Sequence, residues 1–241
     1  IGPAKVICAA MSQAFFTLSL GIGGMAIFGS YIGKENTLLS ESVRVAGLDT
    51  FVAITAGLII IPSCFAYNIE LNAGPSLIFI TLPNIFHNMP FGQLWAALFF
   101  LFISFAALST VFAVFEGILA CFMDLTGWTR KQACLANIVI VFLISLPCAL
   151  GFNILSAVQP LGAGSTILDL EDLIVSGFLL PLGSFGFVLF CTWDFGWGWR
   201  KFRKEANTGK GLEMPDWIHP YCKYILPMII LAVFLIGLIG F

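Results

Sequence analysis

Hydrophobic and polar positions along the chain separate into six long apolar runs, near residues 6–32, 46–69, 93–121, 132–152, 173–193 and 219–241. Each is long enough to cross a hydrocarbon core of ~30 Å, which takes about 20 helical residues. Between the second and third runs lies NAGPSLIFITLPNIFHNMP, apolar but interrupted at Pro75, Pro83 and Pro90. Proline removes a backbone donor and clashes with the preceding turn, so this stretch predicts short loop helices within about 74–90, packed on the protein's face and not spanning. The pattern predicts an all-α polytopic membrane protein.

Composition closes off the soluble alternatives. Hydrophobic residues make up 59% of the 241 positions and charged residues 10%, against about 45–50% and about 25% in ordinary soluble domains. The chain opens at Ile1 without methionine or a signal peptide, and is expected to be part of a longer protein. Charge then orients it. If the first run travels from outside to inside, Lys34, Arg44, Arg130, Lys131, Arg200, Lys201, Arg203, Lys204 and Lys210 all fall in cytoplasmic loops. Lys223 then sits near the cytoplasmic start of the last run, and Lys5 alone stays outside. The outer loops 70–92 and 153–172 contain no Lys or Arg. This is the positive-inside pattern, and it places both ends of the chain outside a plasma (inner) membrane.

Seven cysteines (Cys8, Cys64, Cys121, Cys134, Cys148, Cys191 and Cys222) lie in or beside apolar runs, without a CxxC pair or a histidine partner. They read as small hydrophobes. His87 and His219 stand alone near loop ends and read as surface histidines. No catalytic constellation of a soluble enzyme is visible, so an enzyme is not expected. The loop TWDFGWGWRKFRKEANTGKGLEMPDWIHP mixes Trp193, Trp197 and Trp199 with a basic cluster. An interfacial aromatic belt with cytoplasmic anchoring accounts for it, and the flanking spans argue against nucleic acid.

The first run contains the least stable helix. FFTLSLGIGGMAIFGSYIG carries Gly21, Gly23, Gly24 and Gly29, with Thr17 and Ser19 just upstream. Each glycine costs a helix about 1 kcal/mol relative to alanine. Two readings fit the glycines alone: close packing through small residues at 21, 24 and 29, or an unwound turn. Unwound backbone in hydrocarbon is tolerated only where protein buries it or where it lines a cavity. The adjacent hydroxyls of Thr17 and Ser19 favour the second, because an open turn frees carbonyls for ions and amides for anionic groups. Two further spots carry chemistry. Asp49 lies about four residues into the second run; it is either an ion-path carboxylate, costly at about 2.5–3.5 kcal/mol, or a helix N-terminal acid favoured by the macrodipole. In FAALSTVFAVFE, Ala106, Ser109 and Thr110 share a helix face, with back-bonding to the preceding turn as the alternative use of the hydroxyls.

SQAFFTLSLGIGGMAIFGSY closely resembles the sixth membrane helix of the neurotransmitter:sodium symporter family, bacterial amino-acid transporters included. LDTFVAITAGLIIIPSCFA resembles the seventh helix, GPSLIFITLPNIF with MPFGQLWAALFFL the outer loop and the start of the eighth, FAALSTVFAVFE its middle, and SGFLLPLGSFGFVLF the tenth. The resemblance implies that 1–193 form the second inverted repeat, 194–218 a cytoplasmic loop and 219–241 a final membrane helix. Helices one to five, the first repeat, lie outside this chain.

The resemblance also implies site residues. Thr17 and Asp49 would hold the first sodium ion; Ala106, Ser109 and Thr110 would hold the second, with neutral oxygens that suit a hard cation. Phe16, Thr17, Ser19, Gly21, Ile22, Gly23, Thr110 and Val114 would line the substrate site, Phe16 as an aromatic lid. Isoleucine at 22, a position often aromatic in the family, leaves the side-chain preference open. The family often has asparagine where Asp49 stands. Its carboxylate would supply the charge that bound chloride supplies elsewhere, although Ala53 occupies the position where chloride-independent members carry glutamate. Gln13 would give polar support. Asp172, or Asp169 one register away, would be an outer gate, and Tyr31 and Asp124 inner gate partners. Glu116 has no assigned role.

The function implied is sodium-coupled, chloride-independent symport of amino acids or related small amines by alternating access. It would use two sodium ions, no organic cofactor, the bilayer and the first five helices as partners, and no nucleic acid. A proton-coupled transporter of the same fold, with Asp49 titrating, and a non-transporting membrane subunit are the alternatives.

Overall fold

The computed structural model describes residues 3–31, 33–69 and 74–239, without the side chains of 3–5, 8, 28, 238 and 239. Lys5, Cys8, Ile32, the loop positions 70–73 and the last two residues of the final run therefore lie outside the described parts. The helices are α1 (Pro3–Thr17), α2 (Gly24–Tyr31), α3 (Leu38–Ala66), α4 (Leu82–Asn88), α5 (Gly92–Thr126), α6 (Arg130–Leu150), α7 (Ile167–Asp172), α8 (Leu180–Thr192), α9 (Trp199–Ala206) and α10 (Leu226–Ile239). Among the described residues five helical stretches are long and apolar enough to span a membrane: Leu38–Ala66, Gly92–Thr126, Arg130–Leu150, Ile167–Thr192 and Asp216–Gly237. The protein is a multi-pass membrane protein.

The first apolar run is not one helix. It is split into α1 of 15 residues and α2 of 8, each too short to cross a bilayer alone. The second run begins earlier than expected, at Leu38, because Ser40, Glu41 and Arg44 are helical before the apolar segment starts. α6 starts at a capping box in which Thr129 and Gln132 exchange bonds, the Thr129 amide donating to Gln132 Oε1 at 3.1 Å.

Among the described residues, π-helical stretches interrupt the α-helices at Leu77–Thr81, Leu173–Leu179 and Tyr221–Ile225. Each ends two residues before a proline, at Pro83, Pro181 and Pro227. A proline cannot donate to the carbonyl four residues back and its ring crowds that carbonyl; the wider π turn makes room without ending the helix. Pro62 and Pro147 sit inside α3 and α6 without such a stretch.

The described chain divides into two compact units, Ile1–Ser42 with Ala113–Phe241, and Val43–Phe112. In the first, Phe15 of α1, Leu180 of α8, and Ile230 and Val233 of α10 form a buried cluster. The connection from 193 to 215 is stapled to the α2–α3 connection. Lys210 donates its amide to Glu35 O at 2.8 Å, Thr37 Oγ1 donates to Leu212 O at 2.7 Å, and Leu212 donates its amide to Ser40 Oγ at 2.7 Å. Lys34 Nζ lies 2.8 Å from Glu205 Oε1. Gly211 is required there, because a Cβ would come within 2.3 Å of Ser40 Oγ. His219 corrects an expectation: it is half-buried, its ring stacked on Trp199 at 4.7 Å, because the connection folds back on itself. In the second unit, α4 packs Leu82 and Ile85 on Cys64 of α3, with Phe86 and Phe99 alongside. The broken apolar stretch is a short helix seated on its neighbours.

Candidate functional site

The interruption between α1 and α2 has a definite architecture. Leu20 donates its amide to Phe15 O at 2.9 Å and Ser19 donates to Phe16 O at 3.0 Å. Ser19 adopts φ 51°. These two bonds around a left-handed residue are the Schellman ending of a helix, built here on serine where glycine is usual. The chain continues through Gly21 (φ 85°) and Gly23 (φ 80°), and α2 starts with Ala26 donating to Gly23 O at 3.0 Å. Among the described residues no donor reaches the carbonyls of Leu18 to Ile22. The turn therefore presents carbonyl oxygens at the end of one half-helix and amides at the start of the next.

The two readings of the glycines meet at Gly21, and the close-packing reading does not hold at Gly24 or Gly29. A Cβ on Gly21 would lie 2.3 Å from Leu180 O, and one on Gly183 would lie 2.2 Å from Gly21 O. The unwound turn thus touches α8 backbone to backbone, and Gly21 serves the turn and the packing together. Gly24 and Gly29 have nothing within 4 Å of a built Cβ, so they make no close approach. Gly183 and Ser184, in LPLGSFG, were missed by sequence reasoning; the small residues there were the available signal.

Two cavities flank the turn. One, of about 250 Å³, is lined by Ser19, Ile22 and Gly24 on one side and Val114, Gly117 and Cys121 of α5 on the other. It unites three of the expected substrate residues. The second, of about 530 Å³, is lined by Ser19, Gly21, Gly23, Ser184 and Phe187 with α10 side chains. Ser184 Oγ there is buried without a hydrogen-bond partner. Phe16 is 52% exposed and, with Thr17, lines neither cavity. Gln13 is exposed on α1.

Asp49 lies in α3 and is half-buried. Ser109 Oγ and Thr110 Oγ1 both donate to Ala106 O, at 2.7 and 3.2 Å. The back-bonding use of these hydroxyls is thus the one present, and their oxygens keep lone pairs for a cation. Asp49, Ala106, Ser109 and Thr110 belong to the second unit, Thr17 to the first.

At the far end of α2, Tyr31 Oη donates to Glu116 Oε1 at 2.8 Å. Arg130, first residue of α6, grips both oxygens of Glu116, at 2.9 and 2.7 Å. Glu116, without a role from sequence, is the hub of this cluster; Asp124, expected beside Tyr31, is exposed and is not among its described partners. Asp169 is occupied by its capping box, accepting from the Thr166 amide at 2.6 Å. Asp172 accepts from Ser176 Oγ, at 2.6 Å, and is exposed. Each of the two acids has one carboxylate oxygen engaged, Oδ2 in Asp169 and Oδ1 in Asp172. Among the described residues no group of three His, Cys, Asp or Glu side chains could hold a metal ion.

A membrane helix broken at an open turn beside cavities defines a class, the secondary transporters built on discontinuous helices. The chain belongs to the Sodium:neurotransmitter symporter family, whose sequence model matches residues 1–241. It is 32% identical over 236 residues to an uncharacterized sodium-dependent transporter, YhdH, of Bacillus subtilis, covering 96% of this chain and 51% of that protein. To the sodium- and chloride-dependent GABA transporter ine of Drosophila melanogaster it is 25% identical, covering 99% of this chain and 26% of that one. Among solved structures, MhsT in complex with L-phenylalanine superposes with a TM-score of 0.85 at 38% identity, covering 97% of this chain and 52% of that one. The chain thus spans about half the length of the bacterial relatives it matches. The family and these relatives are transporters, not enzymes.

Proposed function

We infer that the complete protein is a sodium-coupled symporter of amino acids or related small amines, working by alternating access without chloride. The observation that carries this reading is the open turn at 18–23, with the 250 Å³ cavity between it and Val114. That turn offers amides to a substrate carboxylate and carbonyls to a cation, the division of labour of broken transporter helices. Thr17 and Asp49 are proposed as ligands of the first sodium ion, and Ala106, Ser109 and Thr110 of the second. The sodium-dependent relatives and the phenylalanine-bound structural neighbour support the ion and the substrate class. The 193–215 connection is assigned to the cytoplasm by its basic charge, and Asp172 to the outer gate.

Uptake of a labelled amino-acid panel by the full-length protein in liposomes tests this, with and without a sodium gradient. Sodium-driven accumulation is expected; equal uptake under both conditions overturns the reading. Chloride independence has its own test. The parent is expected to transport in gluconate as well as in chloride, and Asp49→Asn to become chloride-requiring. A parent that needs chloride removes that assignment while leaving sodium coupling in place.

A further inference from the structure

The α9 region has chemistry that sodium coupling does not use. It lies between the span ending at Thr192 and the one beginning at Asp216, so its helix sits at the bilayer surface. Around it Trp193, Phe195, Trp217, Tyr221 and Tyr224 are exposed, as interfacial aromatics are. Lys223 Nζ lies 5.5 Å from the Trp193 ring and 5.9 Å from that of Tyr224. Along α9, Trp199 and Ala206 are buried, while Arg200, Lys201 and Lys204 are exposed.

A cavity of about 340 Å³ opens on this helix, lined by Trp199, Arg200, Arg203, Lys204, Asn207 and Asp216. Its floor is fixed. Arg203 holds Asp216 at 3.0 Å and donates Nε to Met214 O at 2.8 Å. Asn207 accepts from the Met214 amide at 2.7 Å and donates to its carbonyl at 3.2 Å. Asp216 is therefore matched by Arg203. Among the described residues no carboxylate lies within 4.0 Å of Arg200 or Lys204, which leaves the cavity with surplus positive charge. Trp199 supplies the second, independent feature. It is 7% exposed, lines the cavity, and its Nε1–H is buried without an acceptor. A buried indole donor is normally paired. The His219 ring stacked on it also has a buried nitrogen, Nε2, without a partner.

A ligand that fits must bring several acceptor oxygens and negative charge to a point at the membrane surface. We propose that this cavity binds the phosphodiester of an anionic phospholipid headgroup, between Arg200, Lys204 and the Trp199 indole N–H. The lipid source follows from position: the cavity adjoins the ends of two spans and an exposed aromatic belt, where acyl chains can continue into the bilayer while the phosphate is held.

Retention of phosphatidylglycerol against phosphatidylcholine by the full-length protein, measured by native mass spectrometry from mixed nanodiscs, tests the site. The parent is expected to keep phosphatidylglycerol preferentially. Lys204→Gln should lower that preference about fivefold, the effect of one positive charge near the surface. Trp199→Phe, which keeps the stacked ring and removes the N–H, should lower it about threefold. Lys201→Gln, on the same helix but outside the cavity, should leave it within about twofold. The proposal is overturned if Lys201→Gln acts as strongly as Lys204→Gln, since the attraction is then diffuse, or if Trp199→Phe has no effect. It is also overturned if inorganic phosphate alone displaces the lipid, which makes this a soluble-anion site. All readouts are of binding, so sodium-coupled uptake can fail or succeed independently.

Discussion

Two helices of this chain end in the same way and serve opposite purposes. α1 stops at Ser19 (φ 51°) and α3 at Asn68 (φ 51°). In each the amide after the left-handed residue reaches back to a carbonyl at 2.9 Å, Leu20 to Phe15 and Ile69 to Cys64. After Asn68 the chain leaves its span. After Ser19 it runs through Gly21 and Gly23 and resumes as α2 within the same apolar segment. The difference lies in what covers the ending. Around α3 it is side chains, Leu82 and Ile85 packed against Cys64; around α1 it is backbone, Gly21 against Leu180 and Gly183 of α8. An interruption inside hydrocarbon survives because another helix touches it through glycine, and no side-chain packing substitutes for that contact.

The comparison can be broken most severely at the crossing. Gly183→Ala and Gly21→Ala each place a Cβ within 2.3 Å of backbone, and Gly21 also needs its positive φ. Each should cost about 3 kcal/mol or more, with sodium-dependent uptake lost. Thermal unfolding in detergent and uptake in liposomes are the measurements. Gly24→Ala, in the same run but with open space around it, should instead be neutral or stabilise by up to about 1 kcal/mol. Equal damage at 24 and 21 would mean that glycine content, not the contact, holds the turn.

The next test concerns the other end of α2. Glu116 ties Tyr31 to Arg130, so the half-helix after the break is anchored at both ends. Glu116→Gln should lower thermal stability, and a double-mutant cycle with Arg130→Gln should return a coupling of about 1–2 kcal/mol. A cycle near zero would leave α2 held by the crossing alone. The smallest effect separates the two endings directly. Serine in the left-handed region is more strained than asparagine, so Ser19→Gly should stabilise by about 0.5–1 kcal/mol, and Asn68→Gly by less. If Ser19→Gly instead reduces substrate or sodium affinity while raising the melting temperature, the hydroxyl is retained for binding.

Much of this was readable in the chain. Four glycines with flanking hydroxyls located the interruption, because local backbone preference alone makes 18–23 a poor helix. The prolines at 75, 83 and 90 and the lengths of the apolar runs were likewise legible in the residues. What the residues left undecided were contacts between distant positions. Gly21 and Gly183, or Tyr31 and Glu116, stand far apart in sequence, and neither periodicity nor charge counts records which faces meet. Asp124 was the partner expected for Tyr31 and Glu116 had no role, yet it is Glu116 that Tyr31 meets, with Arg130 closing the cluster.

The sequence by itself determined where the backbone may be helical, where it must break and which segments belong in a bilayer, because these follow from each residue's own transfer energy and dihedral freedom. Only the tertiary structure decided what fills the gap beside the break and which acid meets which base. Those outcomes depend on packing between helices, and in hydrocarbon that is set by shape and close approach more than by hydrophobicity.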